Sequence, residues 1–172
     1  NNVAIGFESL LNNNPTATTN GINNIGIGTL TLRNNSTGSQ NVAIGTSALA
    51  ANTIGQNKIA VGKGALESNV SLTTAIAIGT NALNQQNYNP GFAYQCNNIA
   101  IGNSAMLATN STSSTNGRGN LAIGDSAMIQ NTIGYYNTAI GHASLGYNTD
   151  GYDNITIGGF SLYKNLHGNA NT

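Results

Sequence analysis

A 17-residue unit recurs along the whole chain, and it limits the fold more than any other feature of the sequence. Each copy is anchored by a glycine that follows Ile or Val, and the intervals between successive anchors are 22, 17, 17, 17, 23, 22, 17 and 17. The nine anchors are Gly6, Gly28, Gly45, Gly62, Gly79, Gly102, Gly124, Gly141 and Gly158. Counting from the anchor as position 0, position +4 is Leu or Met in every copy. Such regularity indicates that each copy is one structural unit stacked on its neighbours.

The residues before each anchor have the pattern of a β-strand. Position −1 is Ile or Val in every copy, position −3 is apolar in eight of the nine copies, and a small residue lies between them, as in Val42, Ala43 and Ile44. This two-residue period and this side-chain preference are typical of strands. A repeat of this length holds two strands of about five residues and two turns, so we expect each copy to be one coil of a parallel β-solenoid. At about 4.8 Å per coil, the rod is on the order of 40 Å long.

Asparagine fills two further positions of the repeat. At +7 it occurs in seven of the nine copies, and a second set stands at −4. Glycine is frequent at +10. Asn and Gly tolerate positive φ, and stacked Asn side chains can hydrogen-bond amide to amide along a column. We therefore interpret both columns as structural. They are Asn13, Asn35, Asn52, Asn69, Asn131, Asn148 and Asn165 at +7, and Asn2, Asn24, Asn41, Asn98, Asn120, Asn137 and Asn154 at −4.

Few residues are charged, which argues against several classes of partner. Asp, Glu, Lys and Arg make up 6% of the chain, and the formal net charge is zero. Without a basic stripe or patch, we expect no nucleic acid partner and no attraction to anionic membranes. No apolar run approaches the roughly 20 residues that span a bilayer, so we expect no membrane insertion by this segment. Cys96 is the only cysteine and cannot form an internal disulfide.

The copies resemble a known repeat. The strings NVAIG at 41–45, NLAIG at 120–124 and NTAIG at 137–141 are similar to the repeats of YadA-type heads of trimeric autotransporter adhesins. Similar repeats occur in phage tail fibres. The resemblance implies a left-handed parallel β-roll, three chains around one axis and a role in attachment to a surface. The 17-residue coil is longer than the usual coil of these adhesin heads, which favours the phage-fibre group.

Other repeat families and catalysis fit poorly. The hexapeptide β-helix repeats its motif three times per coil, whereas this chain has one motif in each 17-residue copy. Calcium-binding nonapeptide solenoids need an Asp in each repeat. Of the carboxylates only Asp150 and Asp153 are close in sequence, while His142 and His167 replace Thr, Ser, Asp or Gly of other copies. We therefore expect no catalytic site, no cofactor and no metal, and the chain is not an enzyme on this interpretation. The full set of carboxylates is Glu8, Glu67, Asp125, Asp150 and Asp153.

Binding specificity is expected where the repeat is interrupted. Insertions fall within 12–22, 85–96 and 109–118, and the second of them carries three aromatic residues. Further tyrosines follow in the turns of later coils, so a Tyr-lined stripe could stack on sugars. An alternative is that these rings only cover exposed ends of the core. The candidate receptor or glycan contacts are Tyr88, Phe92, Tyr94, Tyr135, Tyr136, Tyr147 and Tyr152.

The small residue at −2 suggests a packed second face of the strand. If Val42 and Ile44 point into the coil, Ala43 points out, and its small size in every copy indicates close packing against another protomer. The mirrored assignment, with Ala inside and Ile on the axis, would bury both faces equally well. The candidate trimer seam is Ala4, Ala43, Ala60, Ala77, Ala100, Ala122 and Ala139.

These patterns together favour one function. We expect residues 1–172 to be a single repeat domain and a segment of a longer fibre protein, all-β and trimeric around a fibre axis. Its expected role is structural and adhesive, in an extracellular fibre on a cell-surface appendage or a virion that attaches to a host-surface glycan or protein receptor. The alternatives are a purely structural shaft and, less favoured, a glycan-degrading tail spike.

Overall fold

The computed structural model describes residues 1–86, 91, 94–109, 113 and 115–172, and over these residues the chain is all-β. The element order is β1 (Val3–Ile5), β2 (Ile25–Ile27), β3 (Val42–Ile44), β4 (Ile59–Val61), β5 (Leu72–Thr73), β6 (Ile76–Ile78), β7 (Tyr94–Gln95), β8 (Ile99–Ile101), β9 (Leu121–Ile123), β10 (Gln130–Asn131), β11 (Thr138–Ile140), β12 (Tyr147–Asn148) and β13 (Ile155–Ile157).

One parallel sheet runs the length of the molecule. Among the described residues it has nine strands, in the order β1-β2-β3-β4-β6-β8-β9-β11-β13. Equivalent positions of successive copies pair directly, so that Ala43 faces Ala60 and Ala60 faces Ala77. Two short parallel pairs, β5-β7 and β10-β12, lie outside this sheet. Each copy of the repeat is therefore one coil of a parallel β-solenoid, as the periodicity predicts.

The strand faces are oriented opposite to our first assignment. Ala43, Ala60 and Ala77 are fully buried within the single chain, whereas Ile44, Ile59 and Ile78 are 38–39% exposed. The mirrored assignment is therefore the one observed: the small residue at −2 points into the coil and the β-branched residues point outward. The side chains that fill this wall are small: Ala in most copies, and Thr156 in the last strand, where it is 3% exposed.

All but one of the candidate seam alanines consequently belong to the core of their coils, where they have no surface to offer another protomer. This holds for six of the seven, namely Ala43, Ala60, Ala77, Ala100, Ala122 and Ala139, which are fully buried. Ala4 lies in β1 at the first coil and is exposed.

Leucine at +4 forms the opposite wall of the core. Leu32, Leu49 and Leu66 are fully buried, as is the small residue at +3, such as Ala48. Consecutive residues of an extended strand would point to opposite faces. The residues at +3 and +4 both point inward here, because every residue at +4 adopts the left-handed conformation, with φ between 45° and 54°.

This backbone corrects the expectation of two five-residue strands per coil. The strands before the anchors have three residues, and the segment after each anchor is bent by left-handed residues at +2 and +4. Its amides still pair between coils, as in Leu32 N–H to the Ala48 carbonyl at 3.0 Å. The left-handed region explains why +4 is Leu or Met rather than Ile or Val, since β-branched residues are strained there.

The anchor glycine is required for two reasons. Its φ lies between 118° and 138°, a region that side chains rarely adopt. A Cβ at Gly45 or Gly62 would also collide with the carbonyl group of the anchor in the next coil. Both the conformation and the stacking distance therefore depend on glycine at this position.

The two asparagine columns meet inside the coil at a single carbonyl group. Asn41 at −4 and Asn52 at +7 both donate their side-chain amides to the Gly55 carbonyl at +10, at 2.9 and 3.1 Å. We call this arrangement an asparagine clasp. Five other described coils contain it, on the carbonyls of Gly21, Gly38, Gly134, Gly151 and Gly168.

Each column also bonds from coil to coil. Asn52 donates to the Asn35 side-chain oxygen at 2.6 Å, and Asn35 donates to Asn13 at 2.9 Å. In the other column, Asn41 donates both its backbone and its side-chain amide to the oxygen of Asn24, each at 3.1 Å. The prediction of amide-to-amide columns with a structural role is confirmed.

The turn glycines serve a different purpose from the expected one. Gly38, Gly55 and Gly134 do not adopt positive φ. A Cβ at Gly38 or Gly134 would instead collide with the Asn side chains of the clasps. Glycine is needed at +10 because the amides approach its backbone closely.

Substitutions of leucine at +4 test whether the branching of the side chain, rather than its volume, determines stability. We expect Leu66→Ile to destabilise the fold by about 1–2 kcal/mol more than Leu66→Met, because a β-branched side chain is strained more than an unbranched one in the left-handed region. Urea unfolding followed by circular dichroism measures the difference. Equal losses for the two variants would contradict this account.

The clasp gives a second test on two adjacent asparagines. Asn35→Ala removes a buried amide that bonds to Asn13, Gly38 and Asn52, so we expect a loss of about 1–3 kcal/mol. Asn34→Ala, one residue earlier on the exposed surface, should change stability by no more than about 0.5 kcal/mol. A similar effect of both substitutions on the unfolding midpoint would show that the buried amides contribute no special stability.

Candidate functional site

The aromatic residues predicted from the sequence as receptor contacts do not lie on one surface in the structure. Tyr88 and Phe92 lie outside the described residues. Tyr94 is 9% exposed and belongs to the hydrophobic core, in β7, which pairs with β5. Its ring therefore offers no surface to a receptor, which corrects that assignment. The cause is that Tyr94 and Gln95 form a strand of the solenoid, paired with Leu72 and Thr73.

Three of the remaining tyrosines form one partly exposed cluster, in which Tyr135 and Tyr152 are half-buried and Tyr136 is exposed. Tyr135 and Tyr152 both occupy position +11, so successive coils place them above each other, with ring centroids 4.9 Å apart and planes at 4°. Tyr136 meets Tyr135 edge-on, with centroids 5.5 Å apart, and the Arg118 guanidinium lies 5.7 Å from the Tyr136 ring. Stacking at the coil spacing follows directly from the repeat.

A cleft of about 340 Å³ lies beside the stacked pair. Position +9 supplies one wall and position +11 the other, because both positions recur in successive coils. The lining residues are Asn116, Ile133, Tyr135, Asp150, Tyr152, His167 and Asn169.

The polar groups of this cleft are held in place by hydrogen bonds. His167 Nδ1 lies 2.7 Å from the Asp150 carboxylate, and the Tyr152 backbone amide donates to the Asn169 side-chain oxygen at 3.0 Å. Aromatic rings beside a few fixed polar groups suit a ligand that has both apolar faces and hydroxyl groups. We call this surface the tyrosine cleft.

Tyr147 lies apart from the tyrosine cleft. Its ring meets that of Tyr163 edge-on with centroids 5.1 Å apart, and Tyr163 in turn contacts Phe160. The hydrogen bond to Tyr147 is the main cause that raises the pKa of Tyr163. These rings interact with one another, and Tyr147 is not part of a single stripe with Tyr135 and Tyr152.

A second surface is the outer face of the nine-stranded sheet. Positions −3 and −1 place two columns of Ile, Val and Leu side by side along the described strands, interrupted by Thr138. We call this surface the apolar stripe. A groove of about 270 Å³ runs beside it, lined by Asn57, Ile59, Thr74, Ile76, Asn97 and Ile99. Much of the stripe is open to solvent in the described part of the single chain, and a continuous apolar surface of this length is unusual on a monomer.

The structure places the acidic and histidine residues considered for catalysis at different sites. Asp150 lines the tyrosine cleft, whereas Asp153 is absent from its lining. His142 lies 3.3 Å from Asp125 at the exposed surface. Within the described part of the chain, no group of three His, Cys, Asp or Glu residues could hold a metal ion.

The interior holds a polar site that sequence reasoning missed. Lys58 replaces Asn at position −4 and is fully buried, with its Nζ 2.5 Å from the Asn52 side-chain oxygen and 2.6 Å from that of Asn69. Burial lowers the pKa of Lys58 to about 7, and burial raises the pKa of the nearby Cys96 thiol. The aligned repeats already show a lysine in a column of asparagines, and this departure from the pattern could have identified the site from the sequence.

Comparisons with known proteins add no further constraint on this chain. No family model matches it, and searches of curated proteins and of solved structures found no match. Among the residues that the structure describes, no helix is long or apolar enough to cross a membrane. The apolar stripe and the tyrosine cleft therefore carry the functional argument.

Proposed function

We propose that this chain is a structural and adhesive segment of an extracellular trimeric fibre, which attaches to a host surface or matrix. The observation that carries the proposal is the apolar stripe, which runs along the sheet opposite to the packed interior. The tyrosine cleft supports the adhesive part of the role. The resemblance of the repeats to adhesin heads and phage fibres agrees with both.

The apolar stripe supports assembly because burying it would be favourable. Ile44, Ile59 and Ile78 each leave more than a third of their surface exposed in the single chain. Burial of apolar surface contributes roughly 25 cal/mol per Å², and each coil adds two side chains to the total. A partner with the same repeat offers a matching column at the same spacing.

A homotrimer is the arrangement that we favour for this burial. Three identical chains around one axis can each turn the stripe inward, and the contact then grows with every coil. The outward β-branched residues replace the alanines as the proposed seam, since the alanines fill the coil interior. The side chains of the stripe itself carry no charge, and charged residues make up only 6% of the chain, so such contact has little electrostatic cost.

The tyrosine cleft supports glycan binding rather than glycan cleavage. Sugar rings have apolar faces that stack on aromatic side chains and hydroxyl groups that bond to amides and carboxylates. Tyr135, Asp150 and Asn169 offer these groups on one side of the rod. A tail spike would need a second catalytic carboxylate beside Asp150, and the described lining of the cleft does not supply it. A purely structural shaft remains the alternative if the cleft binds nothing.

The oligomeric state is the first test of the proposal. We expect the wild-type chain to be a trimer by light scattering, and Ile44→Glu with Ile78→Glu to give a folded monomer, because unpaired charges would be buried at the seam. The matched control places Glu at Asn34 and Ser68, which are also two coils apart but at position +6, and it should remain a trimer. A monomeric wild-type chain, or a trimer that survives both stripe substitutions, would overturn the assembly.

Glycan binding is the second test. We expect Tyr152→Ala to weaken binding to immobilised lipopolysaccharide or capsular polysaccharide by more than about tenfold, because one wall of the cleft is lost. Tyr147→Ala removes a tyrosine outside the cleft and should leave binding unchanged. Circular dichroism checks that both variants fold. Undiminished binding by Tyr152→Ala, or no binding by the wild type, would favour the shaft.

A further inference from the structure

Lys58 occupies a coil that lacks the asparagine clasp. In this coil position +10 is Leu72 instead of glycine, and Lys58 stands where seven other coils have the asparagine of position −4. Its side chain reaches directly to Asn69 at +7, the other member of the usual clasp. The lysine thus joins the two sides of the coil by itself.

The amine of Lys58 is enclosed and is held against two amide groups. Lys58, Asn52 and Asn69 are all fully buried. Among the described residues, the charge that acts on Lys58 comes from Cys96, and no carboxylate is identified as a partner of Nζ. Burial without a carboxylate favours the neutral amine, and the pKa of about 7 means that much of Lys58 is uncharged near neutral pH. A neutral amine is a nucleophile, as in enzymes that use buried lysines.

The side-chain amides of Asn52 and Asn69 differ in the hydrogen bonds that their nitrogens make. Asn52 Nδ2 donates to the Asn35 side-chain oxygen and to the Gly55 carbonyl. Asn69 Nδ2 is buried and has no hydrogen-bond partner among the described residues. An unpaired buried amide group is unfavourable, so Asn69 is the amide whose nitrogen the fold can lose without breaking another bond.

We propose that Lys58 and Asn69 form an intramolecular isopeptide bond inside the coil. Lys58 Nζ attacks the side-chain carbonyl carbon of Asn69, and the new Nζ–Cγ bond replaces the Cγ–Nδ2 bond. One proton passes from Nζ to Nδ2, and Nδ2 leaves as ammonia. The Asn52 side-chain oxygen accepts a hydrogen bond from the attacking amine and so orients it. No oxidant, cofactor or metal is required for this balance.

The bond would restore the function of the clasp in covalent form. It closes a ring from position −4 to position +7 of one coil, the same two positions that the other clasps connect through a glycine carbonyl. It also removes the buried amine and the orphaned amide nitrogen together. The exclusion of water from these fully buried groups protects the reacting carbonyl from hydrolysis.

Mass spectrometry of the purified wild-type chain is the first measurement. We expect most of the protein to be lighter than its sequence by one molecule of ammonia. Lys58→Met, which lacks the nucleophile but keeps an unbranched chain, should have the unmodified mass. Lys164→Met removes a surface lysine and should keep the loss. An unmodified wild-type mass overturns the proposal whatever the variants show.

Trypsin digestion under denaturing conditions identifies the partner. An acylated Lys58 is not a trypsin site, so cleavage after Arg33, Lys63 and Arg118 delimits the segments 34–63 and 64–118, and the proposed bond keeps these two segments joined. An unmodified Lys58 is cleaved and gives 34–58 and 59–63 instead. A bond from Lys58 to Asn52 would lie within the first fragment, and a succinimide at an Asn-Gly sequence also releases ammonia without joining fragments. Separate fragments therefore overturn the bond to Asn69 even when the mass loss is present.

Discussion

Buried hydrogen bonds between asparagine side chains are the interaction on which the remainder of this solenoid depends. A coil this short encloses little apolar volume, and much of its interior is filled by alanine and one leucine or methionine per copy. Apolar contacts of this kind would tolerate slippage, since one small residue resembles another. The clasps do not tolerate slippage, because the Asn41 side chain must donate hydrogen bonds both to the Gly55 carbonyl of its own coil and to the Asn24 side chain of the preceding coil. Directional bonds in a low-dielectric interior therefore set the register that the core alone leaves undefined.

The clasps also explain why the backbone accepts strain in every coil. To bring positions −4, +7 and +10 together, the chain must turn sharply after the anchor, and it does so with left-handed residues at +2 and +4. Each such non-glycine residue costs roughly 1–2 kcal/mol in isolation. The neighbouring coil hydrogen-bonds the same segment and repeats the same conformation, so the strain is offset by bonds that exist only in the stacked array. The anchor glycine keeps adjacent coils close enough for these bonds.

Sequence reasoning established the repeat, the parallel sheet and the structural role of both asparagine columns, because all three depend on periodicity. It could not orient the strand, because positions −3, −2 and −1 are apolar or small in nearly every copy. Only the dimensions of the coil decide that Ala43 is inside and Ile44 outside. The tyrosine cleft was visible in part, since Tyr135 and Tyr152 share position +11, while Tyr94 required knowledge of where the inserted segment rejoins the sheet. Lys58 was visible as a departure from its column, but its contact with Asn69 depends on an interior that no local pattern describes.

Some positions of the repeat are constrained by the fold and others vary, and the variable positions indicate where such a rod can acquire function. Five positions of the repeat are constrained, namely −4, 0, +4, +7 and +10. The constraint is a hydrogen bond of an Asn side chain, a left-handed backbone conformation or a close approach between backbones, so substitutions at these positions disturb the stacking of the coils. Positions +9 and +11 lie on the turn outside the clasp and vary widely: in successive coils they are Ile133 with Tyr135, then Asp150 with Tyr152, then His167 with Asn169. Stacking converts such variation into a surface, because neighbouring coils place equivalent side chains about 4.8 Å apart. A binding cleft can therefore form or change along this edge while the clasps and the apolar stripe remain as they are.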